Sequence, residues 1–213
     1  MSANVWNARA EAYRQSEAHA QGADLDLLVE WGEDARTAVD VASGGGHVAR
    51  RLREAGLTVV TVDPAPGMRA DVRAPAEDLP FADESFDLAA CRVAAHHFAD
   101  VAAALGEMAR VASDQVLVVD NLNMGEDAEA AERLRDPSHV RNYDESEWRA
   151  LFAGAGLELA DVRIFDRPIG FAAWLERTRC FGRDAERVRT LMGDHVDGDE
   201  LRLRRIAVRG VHG

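Results

Sequence analysis

The nine residues Val39-Asp40-Val41-Ala42-Ser43-Gly44-Gly45-Gly46-His47 decide the fold of this chain. An apolar run of strand length leads into three consecutive glycines, and a helix-like segment follows directly. Glycine permits the sharp turn and the close approach of backbone to ligand that such a junction needs. The stretch therefore predicts a loop that binds a nucleotide-type cofactor at the end of a β-strand.

Outward from this loop, apolar runs of strand length alternate with helix-like segments. This alternation is typical of a parallel sheet covered by helices, and it places the chain in the α/β class. We predict strands at residues 38–41, 58–62, 86–91, 116–120, 157–165 and 201–208. Helices are predicted at residues 6–18, 24–31, 47–55, 100–112 and 144–156, and around 171–179 and 185–192.

The chain is expected to form a single domain, 1–213, of three parts. Residues 1–35 are expected to supply helices that fold over the cofactor mouth as a lid. Residues 36–120 form the cofactor-binding core, and residues 121–213 add an acceptor-side insertion and closing strands. Within the last part, the segment 121–142 is polar and carries no predicted helix or strand.

Composition narrows the class of function. The formal net charge of -13 disfavours a nucleic-acid partner, because such a binder needs a cationic surface. We find neither an apolar run long enough for membrane insertion nor a basic-then-apolar leader, so a cytoplasmic location is expected. The 2 cysteines lack the spacing of a disulfide framework or a metal site, so we expect free thiols and no metal. The absence of lysine removes lysine-based catalysis.

Asp63 ends the second predicted strand, a position that suits an acidic residue binding ribose hydroxyls in Rossmann-like sites. An Asp that opens a turn is a common alternative, and it stays open here. Gly44, Gly46 and Ala49 also satisfy the GxGxxA pattern, so an NAD(P)-binding oxidoreductase is the main competing function. Asp40 disfavours that function, because its negative charge suits a cationic cofactor better than a pyrophosphate.

Four segments, in this order, carry a resemblance to a known family. Residues 40–47 match a glycine-rich first motif, and residues 63–68 match an acidic second motif that ends in a methionine. Residues 76–81 match the stretch that runs over an adenine, and residues 92–98 match the segment that lines the methyl end of a cofactor. In these motifs the chain resembles the class I S-adenosylmethionine-dependent methyltransferases, in the branch similar to ubiquinone and menaquinone C-methyltransferases.

This resemblance implies a Rossmann-like methyltransferase fold with a mostly parallel seven-stranded sheet, helices on both faces and an antiparallel last strand. It implies S-adenosyl-L-methionine as the cofactor and a small-molecule acceptor: a phenol, a quinol, a carbon or an amine. The residues that it assigns to cofactor binding are Tyr13, Asp40, Ala42, Gly44, Gly45, Gly46, Asp63, Met68, Ala76, Glu77, Arg92 and His97. A non-catalytic module that binds the cofactor or a partner is a further alternative, and the sequence leaves the oligomeric state open.

Departures from the family pattern affect the adenine side. Only a short segment separates Asp63 from Ala76, so the third helix of the family is expected to be missing. Pro75 stands where many members present Asp or Asn to the adenine amino group, and proline lacks such a side chain. We therefore expect adenine to be read by the Ala76 amide, by Asp71 or by Glu77.

Methyl transfer from a sulfonium requires in-line positioning more than a fixed catalytic residue. An oxygen or carbon acceptor still needs a general base, and histidine is the side chain best tuned for this near neutral pH. His96, His97 and His139 are the candidates, and packing or helix-start contacts are the alternative for the first two. On the acceptor side we name Asn121, Arg133 and His139, which follow the fourth predicted strand at the edge where ligands bind.

Overall fold

The computed structural model describes Trp6, Ala10 and residues 22–213, so the prediction for Tyr13 lies outside the described residues. The helices with described bounds are α1 (Ala23–Trp31), α2 (His47–Glu54), α3 (Val101–Val111), α4 (Glu126–Arg135), α5 (Glu145–Gly154), α6 (Phe171–Glu176) and α7 (Gly182–Met192). The strands are β1 (Thr37–Val41), β2 (Thr58–Val62), β3 (Phe86–Arg92), β4 (Ala112–Asn121), β5 (Glu158–Gly170), β6 (Val196–Asp197) and β7 (Glu200–Val211). Within the described part of the chain, no helix is both long and apolar enough to span a membrane.

The strands form one 7-stranded sheet in the order β2-β1-β3-β4-β7-β5, with β6 paired to β7. Strand β1 pairs in parallel with β2 and β3, and β3 with β4, whereas β7 runs antiparallel to β4, β5 and β6. The predicted mostly parallel sheet with an antiparallel last strand is therefore confirmed. The chain leaves β1 for β2 on one side and returns to β3 on the other, and we refer to the point where β1 and β3 end, at which ligands bind in such sheets, as the crevice.

Helices cover both faces of this sheet, as predicted. On one face, Leu25 of α1 and Leu52 of α2 are buried against the strands. On the other face, Met108 of α3 and Phe152 of α5 are buried in a second apolar cluster. Helix α1 falls within the segment 1–35 that we expected to act as a lid, yet its apolar side chains are part of the core.

A third apolar cluster joins α4, α6 and α7 to the ends of β5 and β7, and we refer to these three helices as the cap. Because β5 runs parallel to β4, the cap lies at the carboxyl edge of the sheet. Helix α4 occupies part of the segment 121–142, for which the sequence predicted no helix. Its buried apolar positions are Ala128 and Ala131, so the hydrophobic periodicity that marks a helix is weak there.

The segment between β2 and β3 is short, as the sequence indicated. It contains a 3-10 turn at Pro66–Met68 and no α-helix, so the third helix of the family pattern is missing. Val72 forms an isolated parallel bridge with Val62 of β2. This bridge lies at the sheet edge where a further strand would continue the parallel order.

Candidate active site

The glycine loop follows β1 at the carboxyl edge of the sheet. Ala42, Gly44 and Gly46 adopt left-handed backbone conformations, with φ of 54°, 51° and 73°. The Ser43 N–H donates to the Val62 carbonyl at 3.0 Å, which connects the loop to the end of β2. Among the described atoms, a Cβ built on Gly46 would meet nothing within 4 Å, and one on Gly44 only the Ala42 carbonyl, at 4.0 Å. The loop thus presents an open backbone surface to a ligand.

Ala42 is the loop position at which a side chain carries a conformational cost. A left-handed conformation costs an L-residue about 1 kcal/mol relative to glycine. We expect Ala42→Gly to raise the free energy of unfolding by up to about 1 kcal/mol, which is roughly 2–4 °C in Tm. Ala55→Gly is the matched control, because φ is -81° there and added flexibility should destabilise the protein. Thermal unfolding checks both variants, and a lower Tm for Ala42→Gly would contradict the prediction.

Asp63 lies beside this loop, directly after β2, and is 7% exposed. Its Oδ2 accepts the Gly44 N–H at 3.0 Å, and its Oδ1 accepts the Ala65 N–H at 2.8 Å. Burial raises the pKa of Asp63, and the two amide hydrogen bonds oppose that rise. A carboxylate oxygen can accept more than one hydrogen bond, so both oxygens can also receive hydroxyl groups. The predicted acidic partner and the predicted loop are therefore in direct contact.

Asp40 is buried in β1, before the loop begins. Its Oδ2 accepts the Ala49 N–H at 3.0 Å, in the first turn of α2. Burial raises the pKa of Asp40 to about 7; the Ala49 hydrogen bond opposes this rise and the nearby Asp63 adds to it. Near neutral pH the side chain carries only part of a negative charge. This weakens the argument that a fixed charge at Asp40 faces a cationic cofactor.

The adenine side of the crevice offers a backbone donor. Ala76 is 5% exposed, and among the described residues no acceptor lies within hydrogen-bond distance of its N–H. The two acidic alternatives are engaged by the protein. Glu77 Oε1 accepts the Ala99 N–H at 3.0 Å, and Asp71 Oδ2 accepts the Thr61 N–H at 2.9 Å. Of the three groups that we named for adenine, the Ala76 amide is the one for which no hydrogen bond is formed with the described residues.

Two described N-terminal residues contact both sides of the crevice. Met68 is buried with Ala10 and Ala65 in a small apolar cluster, against which Trp6 packs. Trp6 also contacts His97 edge-to-face, with the ring centroids 4.7 Å apart. The lid function of the N-terminal segment stays a prediction, and these contacts are the observation behind it.

Three histidines meet at the carboxyl edge of the sheet. The ring centroid of His96 lies 4.1 Å from that of His97 and 5.5 Å from that of His139. The first two belong to a 3-10 turn after β3, and Val93 precedes this turn with φ of 54°. That value is strained for a β-branched residue, and such strain is concentrated at functional sites. All three base candidates named from the sequence are thus close together.

His96 forms a buried dyad with Asp120 of β4. Its Nδ1 lies 2.5 Å from Asp120 Oδ1, and its backbone N–H donates to Asp120 Oδ2 at 2.8 Å. Because a carboxylate accepts, Nδ1 carries the proton, and Nε2 makes no hydrogen bond within the described part of the chain. Burial lowers the pKa of His96, but the charge and hydrogen bond of Asp120 outweigh burial, so the pKa is raised above its ordinary value. Sequence reasoning missed Asp120, although an Asp at the carboxyl end of an apolar strand was a usable signal.

The pKa of His97 is shifted in the opposite direction to that of His96. Its Nδ1 donates to the Ser138 carbonyl at 3.0 Å, since a carbonyl can only accept. Burial lowers the pKa of His97 to about 3, and the neighbouring His96 contributes to the decrease. His97 is therefore neutral near pH 7 and is a weak base.

His139 connects the cap to this cluster. Its Nε2 lies 3.1 Å from Glu129 Oε2, and Glu129 Oε1 accepts the Asn142 side-chain amide at 2.8 Å. Arg133 extends from α4 with its side chain 52% exposed and its Nη1 3.5 Å from the same Glu129 Oε2. Asn121, the third acceptor-side candidate, ends β4 and is half-buried. Each of the three histidines thus engages one ring nitrogen, and the other makes no hydrogen bond to the described residues; His96 is distinguished by the raised pKa that its buried carboxylate partner causes.

Arg92, named for the cofactor, ends β3 with its side chain buried. Its Nε donates to Asp24 Oδ2 at 2.6 Å, and Arg205 Nη1 donates to the same oxygen at 2.6 Å. Neither Asp24 nor Arg205 was named from the sequence, because no local pattern links residues so far apart in the chain. The contact joins α1 to β3 and β7 at the carboxyl edge of the sheet.

Known proteins are similar to this chain in both sequence and fold. A family model described as a methyltransferase domain matches residues 39–119. YcgJ of Bacillus subtilis, described as an uncharacterized methyltransferase, is 35% identical over 192 residues, which cover 79% of this chain and 76% of YcgJ. The crystal structure of YcgJ matches with a TM-score of 0.80 and 28% identity, over 89% of this chain and 97% of that chain. A structure from Bacillus halodurans, described as a methyltransferase, gives a TM-score of 0.79 and 26% identity, over 89% of this chain and 99% of that one.

Proposed function

Since this chain belongs to the class I S-adenosylmethionine-dependent methyltransferase family, we propose that it methylates a small molecule whose reacting atom carries an ionisable proton. Phenols and quinols are the acceptors that we favour. The methyl donor in this proposal is S-adenosyl-L-methionine. The His96–Asp120 dyad is the observation that carries the choice of acceptor.

The residues around the crevice fit this cofactor. Gly46 leaves open space above the loop, and Asp63 offers carboxylate oxygens for a ribose diol. Ala76 offers a buried N–H, without a partner among the described residues, for the edge of the adenine ring. When bound, the cofactor supplies a methyl group that is already activated on a sulfonium. The protein then has to orient the acceptor, exclude water and accept one proton from the acceptor.

The His96–Asp120 dyad is suited to accept that proton. A phenol or quinol loses its proton as its oxygen becomes a nucleophile, and histidine takes up protons near neutral pH. Asp120 orients the His96 ring and keeps the first proton on Nδ1, so that Nε2 can accept the second. The low pKa of His97 means that the neighbouring ring does not compete for this proton.

In the proposed reaction, His96 Nε2 would take the proton from the acceptor hydroxyl as the acceptor oxygen becomes the nucleophile toward the methyl group that the bound cofactor would supply. The proton taken up would leave the His96 ring with a positive charge. Asp120 stabilises the resulting imidazolium until solvent removes the proton.

A panel of phenols, quinols and amines, incubated with S-adenosylmethionine and followed by mass spectrometry, tests this function. We expect O-methylation of at least one phenol or quinol. Methylation confined to amines would contradict the choice of acceptor. Calorimetry that detects binding of NADH but not of S-adenosylhomocysteine would contradict the choice of cofactor.

A further inference from the structure

The outer edge of β2 is partly covered by two side chains. β2 is the last strand on its side of the sheet. Arg53, from α2, donates from Nη2 to the Val59 carbonyl at 2.7 Å. Asp71 Oδ2 accepts the Thr61 N–H at 2.9 Å, and it also accepts a hydrogen bond from Arg53 Nη2 at 3.2 Å. We refer to the side chains of Arg53 and Asp71 as the clamp.

The contacts of the clamp reproduce the pattern of a parallel strand. In a parallel ladder, a residue donates its N–H to the carbonyl one position before the residue that it faces, and it accepts the N–H one position after. Val72 makes this pair of bonds around Val62. Its N–H donates to the Thr61 carbonyl at 3.0 Å, and its carbonyl accepts the Asp63 N–H at 3.2 Å. The clamp makes the same pair around Val60, so it takes the place of one residue of a further strand.

A second set of hydrogen bonds fixes Asp71 to β2. Its Oδ2 accepts the Thr61 hydroxyl at 2.8 Å, and its backbone N–H donates to Thr61 Oγ1 at 2.9 Å. The hydrogen bonds from Thr61 lower the pKa of Asp71, so the carboxylate is charged near neutral pH. The side chains of Arg53 and Asp71 are 48% and 54% exposed, and exposed ion pairs contribute little to stability. The clamp therefore suits the fixing of a position better than the stabilisation of the fold.

The clamp lies beside two groups that we assigned to the cofactor. Asp63 directly follows the clamped strand, and its Oδ2 accepts the Gly44 N–H of the glycine loop at 3.0 Å. Ala76 lies a few residues after Val72, in the short segment that contains no α-helix. With the third helix of the family pattern missing, the clamp and the Val72 bridge attach the start of this segment to the sheet.

We infer that Arg53 and Asp71 are positioning residues for the cofactor. They hold the segment 71–76 against β2, which sets the Asp63 carboxylate and the Ala76 N–H where ribose and adenine would bind. Neither side chain of the clamp is assigned a contact with the cofactor, so Asp71 supports the adenine site and does not read the base. The inference rests on the proposed function, because it concerns the same cofactor.

The preference for adenine tests this positioning. S-inosylhomocysteine differs from S-adenosylhomocysteine in its base, hypoxanthine, which carries a proton on the ring nitrogen that is an acceptor in adenine. A well-placed Ala76 N–H should favour the adenosyl compound, and we expect the wild type to bind it at least about tenfold more tightly. In Asp71→Ala, calorimetry should show S-adenosylhomocysteine bound about tenfold more weakly and the preference reduced to about twofold.

Conservative and control variants separate positioning from a general loss of structure. Asp71→Asn should recover part of the affinity, because its amide oxygen can still accept the Thr61 N–H. Arg53→Met leaves the bonds between Asp71 and Thr61 in place and should lose about threefold in affinity. Asp26→Asn is the matched control, because Asp26 forms an exposed ion pair of 2.6 Å with Arg51 of the same helix. This control should keep both the affinity and the preference of the wild type.

Thermal unfolding shows which variants are folded at the assay temperature, and Arg53→Met carries the test if Asp71→Ala does not fold. A folded variant of the clamp with wild-type affinity, or with weaker affinity and an unchanged preference for adenine, would overturn the inference. A wild type that binds both nucleosides equally would overturn it too and would leave the proposed function standing. A wild type that does not bind S-adenosylhomocysteine would overturn both.

Discussion

His96→Gln is expected to lower kcat for methyl transfer by about 10²–10⁴-fold, which is the usual contribution of a general base. Glutamine keeps a polar side chain of similar size but cannot take up a proton. The affinity for S-adenosylhomocysteine should change little, because His96 is assigned to the acceptor. Initial rates with the best phenol or quinol, together with calorimetry on the same sample, measure both quantities.

His195→Gln is the matched control for this substitution. His195 lies in the 3-10 turn before β6, outside the dyad, and its loss should leave kcat unchanged. A folded His96→Gln variant with a kcat near that of the wild type would show that His96 does not act as the base.

The pH dependence of the rate should identify Asp120 as the partner of His96. A base acts only when it is neutral, so the wild-type rate should rise with pH through the pKa of His96, which Asp120 raises above its ordinary value. Asp120→Asn removes the charge that favours the protonated ring. The midpoint of the rise should therefore move to lower pH, and kcat should fall because the ring loses its orienting carboxylate. A midpoint that stays in place would exclude this electrostatic coupling.

Asp63→Asn is expected to weaken S-adenosylhomocysteine binding at least tenfold. A carboxylate that receives a ribose diol makes two charge-assisted hydrogen bonds, each worth about 1.5–3 kcal/mol, and the amide cannot replace both. The structure adds a cost that the sequence did not reveal. Both Asp63 oxygens accept backbone N–H groups, so the amide NH₂ would face another donor, and stability should fall as well. Calorimetry and thermal unfolding measure the two effects separately.

Asp87→Asn separates the effect on binding from the effect on stability. Asp87 Oδ2 also accepts two backbone amides, those of Arg36 and Thr37 at 2.8 Å and 2.9 Å, but at the opposite edge of the sheet. This control should lose stability and keep its affinity for S-adenosylhomocysteine. Unchanged affinity in a folded Asp63→Asn protein would remove the ribose assignment.

Within residues 22–213, the helices and strands that were predicted from local patterns are present in the structure. The strands around Val39 and Val60 were found because buried parallel strands appear as continuous apolar runs. The helix predicted at residues 144–156 is present as α5, and Asp144 and Glu147 stand at the spacing of a capping box, both of whose hydrogen bonds are formed. Helix α4 was missed because the apolar residues that it buries are alanines. Alanine differs little in hydropathy from the polar residues around it, so the helical period is hard to detect.

The part of the site that was missed depends on pairs that are distant in sequence. His96 was named, but its partner Asp120 is 24 residues away and on another strand. Asp24 and Arg205 are 181 residues apart, and only the order of the strands brings them into contact. A single sequence shows the propensities and the spacing of neighbouring residues. Contacts between residues that are distant in sequence become visible only once the order of the strands in the sheet is known.

The position of β7 also determines when this sheet can be completed during synthesis. β7 follows β4 and β5 in sequence but lies between them, paired to both. Until Glu200–Val211 has left the ribosome, β4 carries an unpaired edge and β5 has no strand partner, and such unpaired edges can pair with other chains. Insertion of a late strand also closes long loops, which makes folding slow. We therefore expect the nascent chain to be most prone to aggregation just before β7 emerges from the ribosome.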